Sequence, residues 1–170
     1  MPLFLAPYPP PLIVANEIIA LTGVATTAVT GNQVYLYAFE VYSPTTFSGA
    51  KWRVGATSTG TTDIGIYSFD GNTLFAHTGA ITNVASTNMS NAFTGGNVTL
   101  PAGQYFMAVT VSNSTDTLVT LPASNAGIMS RVRQSTNNAT AGVLPSTTGG
   151  YSDVPARVVA CALTVVGGLT

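Results

Sequence analysis

The groups able to do acid–base, nucleophilic or metal chemistry are few in this 170-residue chain: one histidine, one cysteine, six carboxylates and five basic side chains. His77 stands alone in LFAHTG, and no spacing marks a Ser-His-Asp or Cys-His relay around it. It reads as a structural or exposed strand histidine. The acids are Glu17, Glu40, Asp63, Asp70, Asp116 and Asp153. Glycoside hydrolysis needs two carboxyls facing each other across a substrate, and nothing singles out such a pair. Asp70 and Asp116 lie in turn or loop contexts, where Asp commonly bonds its own backbone. Asp70-Gly71-Asn72 offers oxygen ligands, yet no loop has the spacing of the calcium-binding helix–loop–helix motif. Cys161 has no partner for an intrachain disulfide and reads as a small buried apolar residue. The expectation is a chain without catalytic residues, metal or cofactor.

Binding chemistry leaves more to weigh. Trp52 and the tyrosines raise sugar recognition, since aromatic rings stack on sugar faces. Trp52 alternates with Lys51 and Arg53, which turns it into the core. Tyr151, beside Gly149-Gly150, is the better candidate for an exposed ligand-binding ring. Glu40 falls in an otherwise apolar strand, where a carboxylate is costly unless paired. Arg131, Arg133 and Arg157 are its candidate partners in an internal ion pair. The five basic residues, Lys51, Arg53, Arg131, Arg133 and Arg157, are too scattered to track phosphates, so neither nucleic acid nor an anionic membrane is an expected partner.

The elements that must hold these residues are strands. Charged residues make up 6% of the chain, against roughly 25% in an average soluble domain. The polar surface comes instead from 26 Thr, 13 Ser and 11 Asn. Thr suits a pleated surface, and the helix formers Lys and Glu are nearly absent. The strongest strand signal is QVYLYAFEVYS (33–43), apolar on both faces and so buried on both. AKWRVGA (50–56), TDIGIYSF (62–69), NVTL (97–100), QYFMAVTVS (104–112), TLVTL (117–121) and GIMSRVRQ (127–134) follow. ARVVACALTVV (156–166) closes the series, again apolar on both faces. Asp70-Gly71 signals a hairpin into TLFAHTG. Strands at this spacing predict an all-β sandwich of about eight strands.

Two segments stand apart. Residues 1–16 read as an extended, Pro-rich N-terminal arm, with Pro2, Pro7, Pro9, Pro10 and Pro11 imposing polyproline II character. They carry no basic start of an export signal, and their apolar run is too short for a membrane helix. Leu3, Phe4, Leu5, Tyr8, Leu12, Ile13 and Val14 make the arm apolar, and it is expected to lie against another chain. Residues 17–170 are expected to form one domain, with a long loop at 135–153 pinned at Val143 and Leu144, interface residues expected to lie against a neighbour. The two-faced strands at 34–42 and 157–166 call for more cover than two sheets provide, which argues for an oligomer.

The run KWRVGATSTGTTDIGIYSFDGNTLFAHTGAITN, followed by LPAGQYFMAVTVSNSTDT, resembles small jelly-roll domains of tailed bacteriophages, found in capsid decoration proteins and in head or tail fibres. The pattern comprises a W-R-V-G strand, a D-I-G-I-Y hairpin and a P-A-G-x-Y-x-x-A strand entry, and spans roughly residues 33 to 122. The resemblance implies an antiparallel jelly-roll β-sandwich, a homotrimer, and a non-enzymatic virion structural protein. A chain with an arm and no fibre shaft fits a capsid decoration, or cement, protein that docks on the major capsid protein after assembly in the host cytoplasm. Two rivals stay open: a module of a tail or head fibre that recognises a host-surface glycan, and a glycan-active enzyme on the same architecture.

Overall fold

The computed structural model describes residues 25–120, 132–154 and 159–167. The expectations for the arm (Leu3, Phe4, Leu5, Tyr8, Leu12, Ile13 and Val14) and for Glu17, Arg131 and Arg157 lie outside these residues. Among the described residues the chain is all-β and antiparallel. The strands in order are β1 (Ala25–Ala28), β2 (Tyr35–Val41), β3 (Thr45–Arg53), β4 (Thr61–Ser68), β5 (Leu74–His77), β6 (Ile81–Thr82), β7 (Asn88–Ala92), β8 (Val98–Leu100), β9 (Gly103–Val111), β10 (Thr117–Thr120), β11 (Val132–Ser135), β12 (Tyr151–Asp153) and β13 (Cys161–Val165).

A larger sheet runs β12-β11-β2-β9-β4-β5, with β6 extending the pairing of β4. A smaller sheet runs β13-β3-β7, with β8 also on β3, and β1 pairs with β10. The two larger sheets form the sandwich. Tyr37, Phe39, Ile64, Ile66, Met107, Val109 and Val111 of the first sheet meet Phe47, Trp52, Leu100 and Leu163 of the second. Period-2 alternation selects these residues. β3 breaks the period between Phe47 and Ala50, where its pairing with β13 slips by one residue. A bulge of this kind lets residues of both parities face one core.

The outer face of the larger sheet carries a second core. Val34, Leu36, Tyr67, Phe106 and Ala108 pack there under Ala139 and Leu144. The chain covers its own sheet. Leu144 lies where a Cβ on Gly65 would sit, 2.8 Å from its Cδ1. The Tyr67 hydroxyl donates to the carbonyl of Pro145, and Thr148 N donates to Gly71 O at 2.8 Å. The two-faced apolar character of residues 34–42 thus reflects two cores inside one chain, and that strand alone no longer calls for a subunit partner. The stretch 135–153 is likewise not one open loop. It contains a tight turn closed by Thr140 and Val143, and it ends in β12. The strand count exceeds eight because β6, only two residues long, and the mostly polar edge strand β7 leave little apolar signal.

Candidate functional site

Asp63 is the centre of the first polar cluster. It sits on the outer face of β4 and is fully buried. Its Oδ2 lies 2.8 Å from His77 Nδ1 and accepts Leu144 N–H at 2.9 Å, while its Oδ1 accepts the Thr78 hydroxyl at 3.1 Å. The hairpin at Asp70-Gly71 brings His77 opposite Gly65, and the alternation of β4 puts Asp63 beside it. An imidazole oriented by a carboxylate is half of a relay. Its other nitrogen meets no hydroxyl or thiol among the described residues. What the arrangement does is tie β4, β5 and the cover segment together.

A second buried carboxylate does the same elsewhere. Asp116 was expected to bond its own turn. The structure corrects this: Asp116 is fully buried and accepts Thr59 N at 2.7 Å, Gly60 N at 3.0 Å and Asn83 Nδ2 at 2.8 Å. Asn83 Oδ1 in turn accepts Trp52 Nε1 at 3.3 Å. The local turn is made by Asn113, whose Oδ1 accepts the backbone N–H groups of Thr115 and Asp116. Asp70 does bond its own turn, accepting Asn72 N at 3.0 Å. Those bonds and the Ser68 hydroxyl hold its carboxyl below the usual range, the Ser68 bond first among them. Trp52 is buried in the core as the alternation with Lys51 and Arg53 predicts.

Tyr151 is not the open ring that its glycine neighbours suggested. It lies on β12, half-buried, with the Arg133 guanidinium 4.5 Å from its ring centroid and Phe106 edge-on at 5.1 Å. Arg133 also lies within 5.8 Å of the Phe69 ring, and its Nε donates to Asp153 Oδ1 at 3.3 Å. One face of Tyr151 is thus taken by a cation, an arrangement worth about 0.5–1 kcal/mol at an exposed site and more when desolvated. Arg133 pairs with Asp153 and not with Glu40, which is half-buried and lies opposite Gln104. Of the loop pair, Leu144 is buried under its own chain, which removes it as a docking residue, and Val143 stays exposed. Cys161 packs its sulfur 3.9 Å from Met107 Sδ, and burial pushes the thiol up to about 12.

A concave feature also lies at the surface among the described residues. A groove of about 280 Å³ runs between β5 and the turn at 94–98. Phe75, Thr94 and Asn97 line it, with part of His77. Thr94 pins the turn by donating its N–H and its hydroxyl to His77 O, at 2.9 and 3.2 Å. No sequence signal marked Phe75, because its orientation depends on the register of β4 and β5. Among the described residues, no group of three or more His, Cys, Asp or Glu side chains could hold a metal ion. Comparison with family models, with curated proteins and with solved structures finds no match for the chain.

Proposed function

We propose that the chain is a non-enzymatic structural protein of a phage particle: a jelly-roll decoration protein that docks as a trimer on the assembled head. The single observation behind this reading is the use made of the carboxylates. Asp63 and Asp116, both fully buried, spend their oxygens on backbone N–H groups and side chains from distant segments. Asp70 is bound into its own turn and Asp153 into the Arg133 pair. Groups that an enzyme would aim at a substrate act here as rivets. Low charge and a surface of Thr, Ser and Asn suit a building block packed among other proteins. The resemblance of residues 33 to 122 to phage jelly-roll domains supplies the particle.

The test is reconstitution. Purified protein is mixed with undecorated heads of the phage that encodes it, and the mixture is sedimented. Saturable co-sedimentation, together with a trimer mass in analytical ultracentrifugation, is the expected outcome. Protein that stays in the supernatant with heads, or that cleaves capsule or cell-wall glycan, overturns the reading.

A further inference from the structure

We infer that the groove between β5 and the 94–98 turn is a binding site for a neutral sugar ring, with Phe75 as its stacking platform. The first observation is where Phe75 points. In the β4–β5 ladder Ile66 pairs with Ala76 and Tyr67 with Leu74, so Phe75 is the extra, bulged residue. Bulges re-aim a side chain out of the pleat. Here the bulge leaves a phenylalanine 42% exposed at the mouth of a groove.

The second observation is how firmly that ring is held. Phe75 meets Tyr105 edge-on at 5.9 Å, Tyr105 packs on Phe39 at 5.7 Å, and Phe39 meets Phe47 edge-on at 6.2 Å. The Tyr105 hydroxyl donates to Pro101 O at 3.0 Å. The aromatic run reaches from the sandwich core to the surface. A ring fixed in this way loses little freedom when a ligand stacks on it.

The third observation is the chemistry of the opposite wall. The Thr94 hydroxyl, whose proton goes to His77 O, still offers its oxygen as an acceptor, and the Asn97 side-chain amide has no hydrogen-bond partner among the described residues. Gly95 and Gly96 leave open space where side chains would otherwise stand. The lining contains no Lys, Arg, Asp or Glu, and its one histidine, His77, is already bonded through Nδ1 to Asp63. An apolar face opposite amide and hydroxyl groups matches a pyranose, which has one C–H face and an edge of hydroxyls. The absence of fixed charge in the lining selects a neutral sugar over an acidic one. The volume, about 280 Å³, is just below the ~300–1,000 Å³ of small-molecule sites, which suits one ring and not a chain.

The experiment is a titration of ¹⁵N-labelled full-length protein with glucose, galactose, mannose, rhamnose and N-acetylglucosamine, each to millimolar excess. Expected are saturable amide shifts confined to residues 74–77 and 94–98 for at least one sugar. Phe75→Ala should weaken that binding by about tenfold or more. Asn97→Ala, at an exposed position without structural bonds, should weaken it several-fold while leaving the remaining spectrum unchanged. The assignment is overturned if no sugar in the panel shifts these amides, if shifts fall elsewhere, or if both variants bind like the parent. Shifts produced by N-acetylglycinamide and by no sugar overturn it as well. None of these outcomes depends on whether the protein docks on heads.

Discussion

Replacing Asp116 by alanine tests whether a buried carboxylate holds this sandwich together. Three donors converge on it: Gly60 N and Asn83 Nδ2, both buried, and Thr59 N, which is partly open to water. Leaving a buried donor unmade costs about 1–3 kcal/mol. Two such donors give about 2–6 kcal/mol, and Thr59 adds little because water reaches it. Removing the carboxylate also relieves its own desolvation, which offsets part of the loss. The expected net destabilisation is about 3 kcal/mol. Asp116→Asn keeps one acceptor oxygen and should lose about half as much. The protein contains its own reporter, since its single tryptophan, Trp52, is fully buried and bonded to Asn83 in the same network. Urea unfolding followed by Trp fluorescence therefore reads the site directly. With m of about 1–3 kcal/mol/M, the midpoint should fall by about 1–3 M. Asp70→Ala, which removes a carboxylate from an exposed turn, is the control. If Asp116→Ala shifts the midpoint no more than Asp70→Ala at equal m, the network is decoration and the reasoning fails.

Leu144→Ala should cost about 2–5 kcal/mol locally, read as faster hydrogen exchange at the Ala139 and Leu144 amides with that of β9 nearly unchanged. Gly71→Ala should destabilise by about 2 kcal/mol or more, because φ is +75° and the new Cβ would meet Thr148 Oγ1 at 2.0 Å; thermal unfolding measures it. Burial raises the Cys161 thiol from 9.0 to about 12 and raises the Tyr37 and Tyr67 phenols well above their usual 10.0. The folded state keeps these protons when the unfolded chain has released them. Their contribution is therefore whole below about pH 9 and is lost as pH rises above that, by up to ~1.4 kcal/mol per pH unit per group. Urea midpoints measured from pH 7 to 11 should be flat and then fall, and Cys161→Ala should remove the earliest part of the fall. At pH 8 iodoacetamide should label the folded thiol more slowly than the unfolded one, because less of it is thiolate.

The central strands were legible because their chemistry is local. Residues 35–41, 61–68 and 103–111 are dense in β-branched and aromatic side chains, and Asp70-Gly71 marks its own turn. β7, reading NMSNA, was not legible. It is an edge strand whose alternation is half-buried against exposed, with Met89 as its one large apolar residue. The cover over the outer face was hidden for a related reason. It is built from Ala139, Leu144 and backbone bonds, and so leaves no periodic pattern in STNNATAGVLPSTTGGYSD. The two polar clusters were hidden by distance along the chain. Asp116 finds Gly60 56 residues away and Asp63 finds Leu144 81 residues away, and no local rule joins such positions. Phe75 depends on a one-residue slip between two strands, which only the paired register reveals.

The cover segment also fixes an order of events while the chain is being made. Its anchors join Gly142 to Asn32 across 110 residues and Leu144 to Asp63 across 81. Strands β2, β4 and β9 have all been synthesised before Leu144 leaves the ribosome. At ~5–20 residues per second, the stretch from Val111 to Leu144 takes about 2–7 s to follow. For that interval Leu36, Tyr67 and Phe106 have no lid, and a nascent chain with so few charges has little electrostatic repulsion to keep it from its neighbours. Translation rate, and any chaperone that shields an apolar sheet for a few seconds, should therefore affect the yield of this protein.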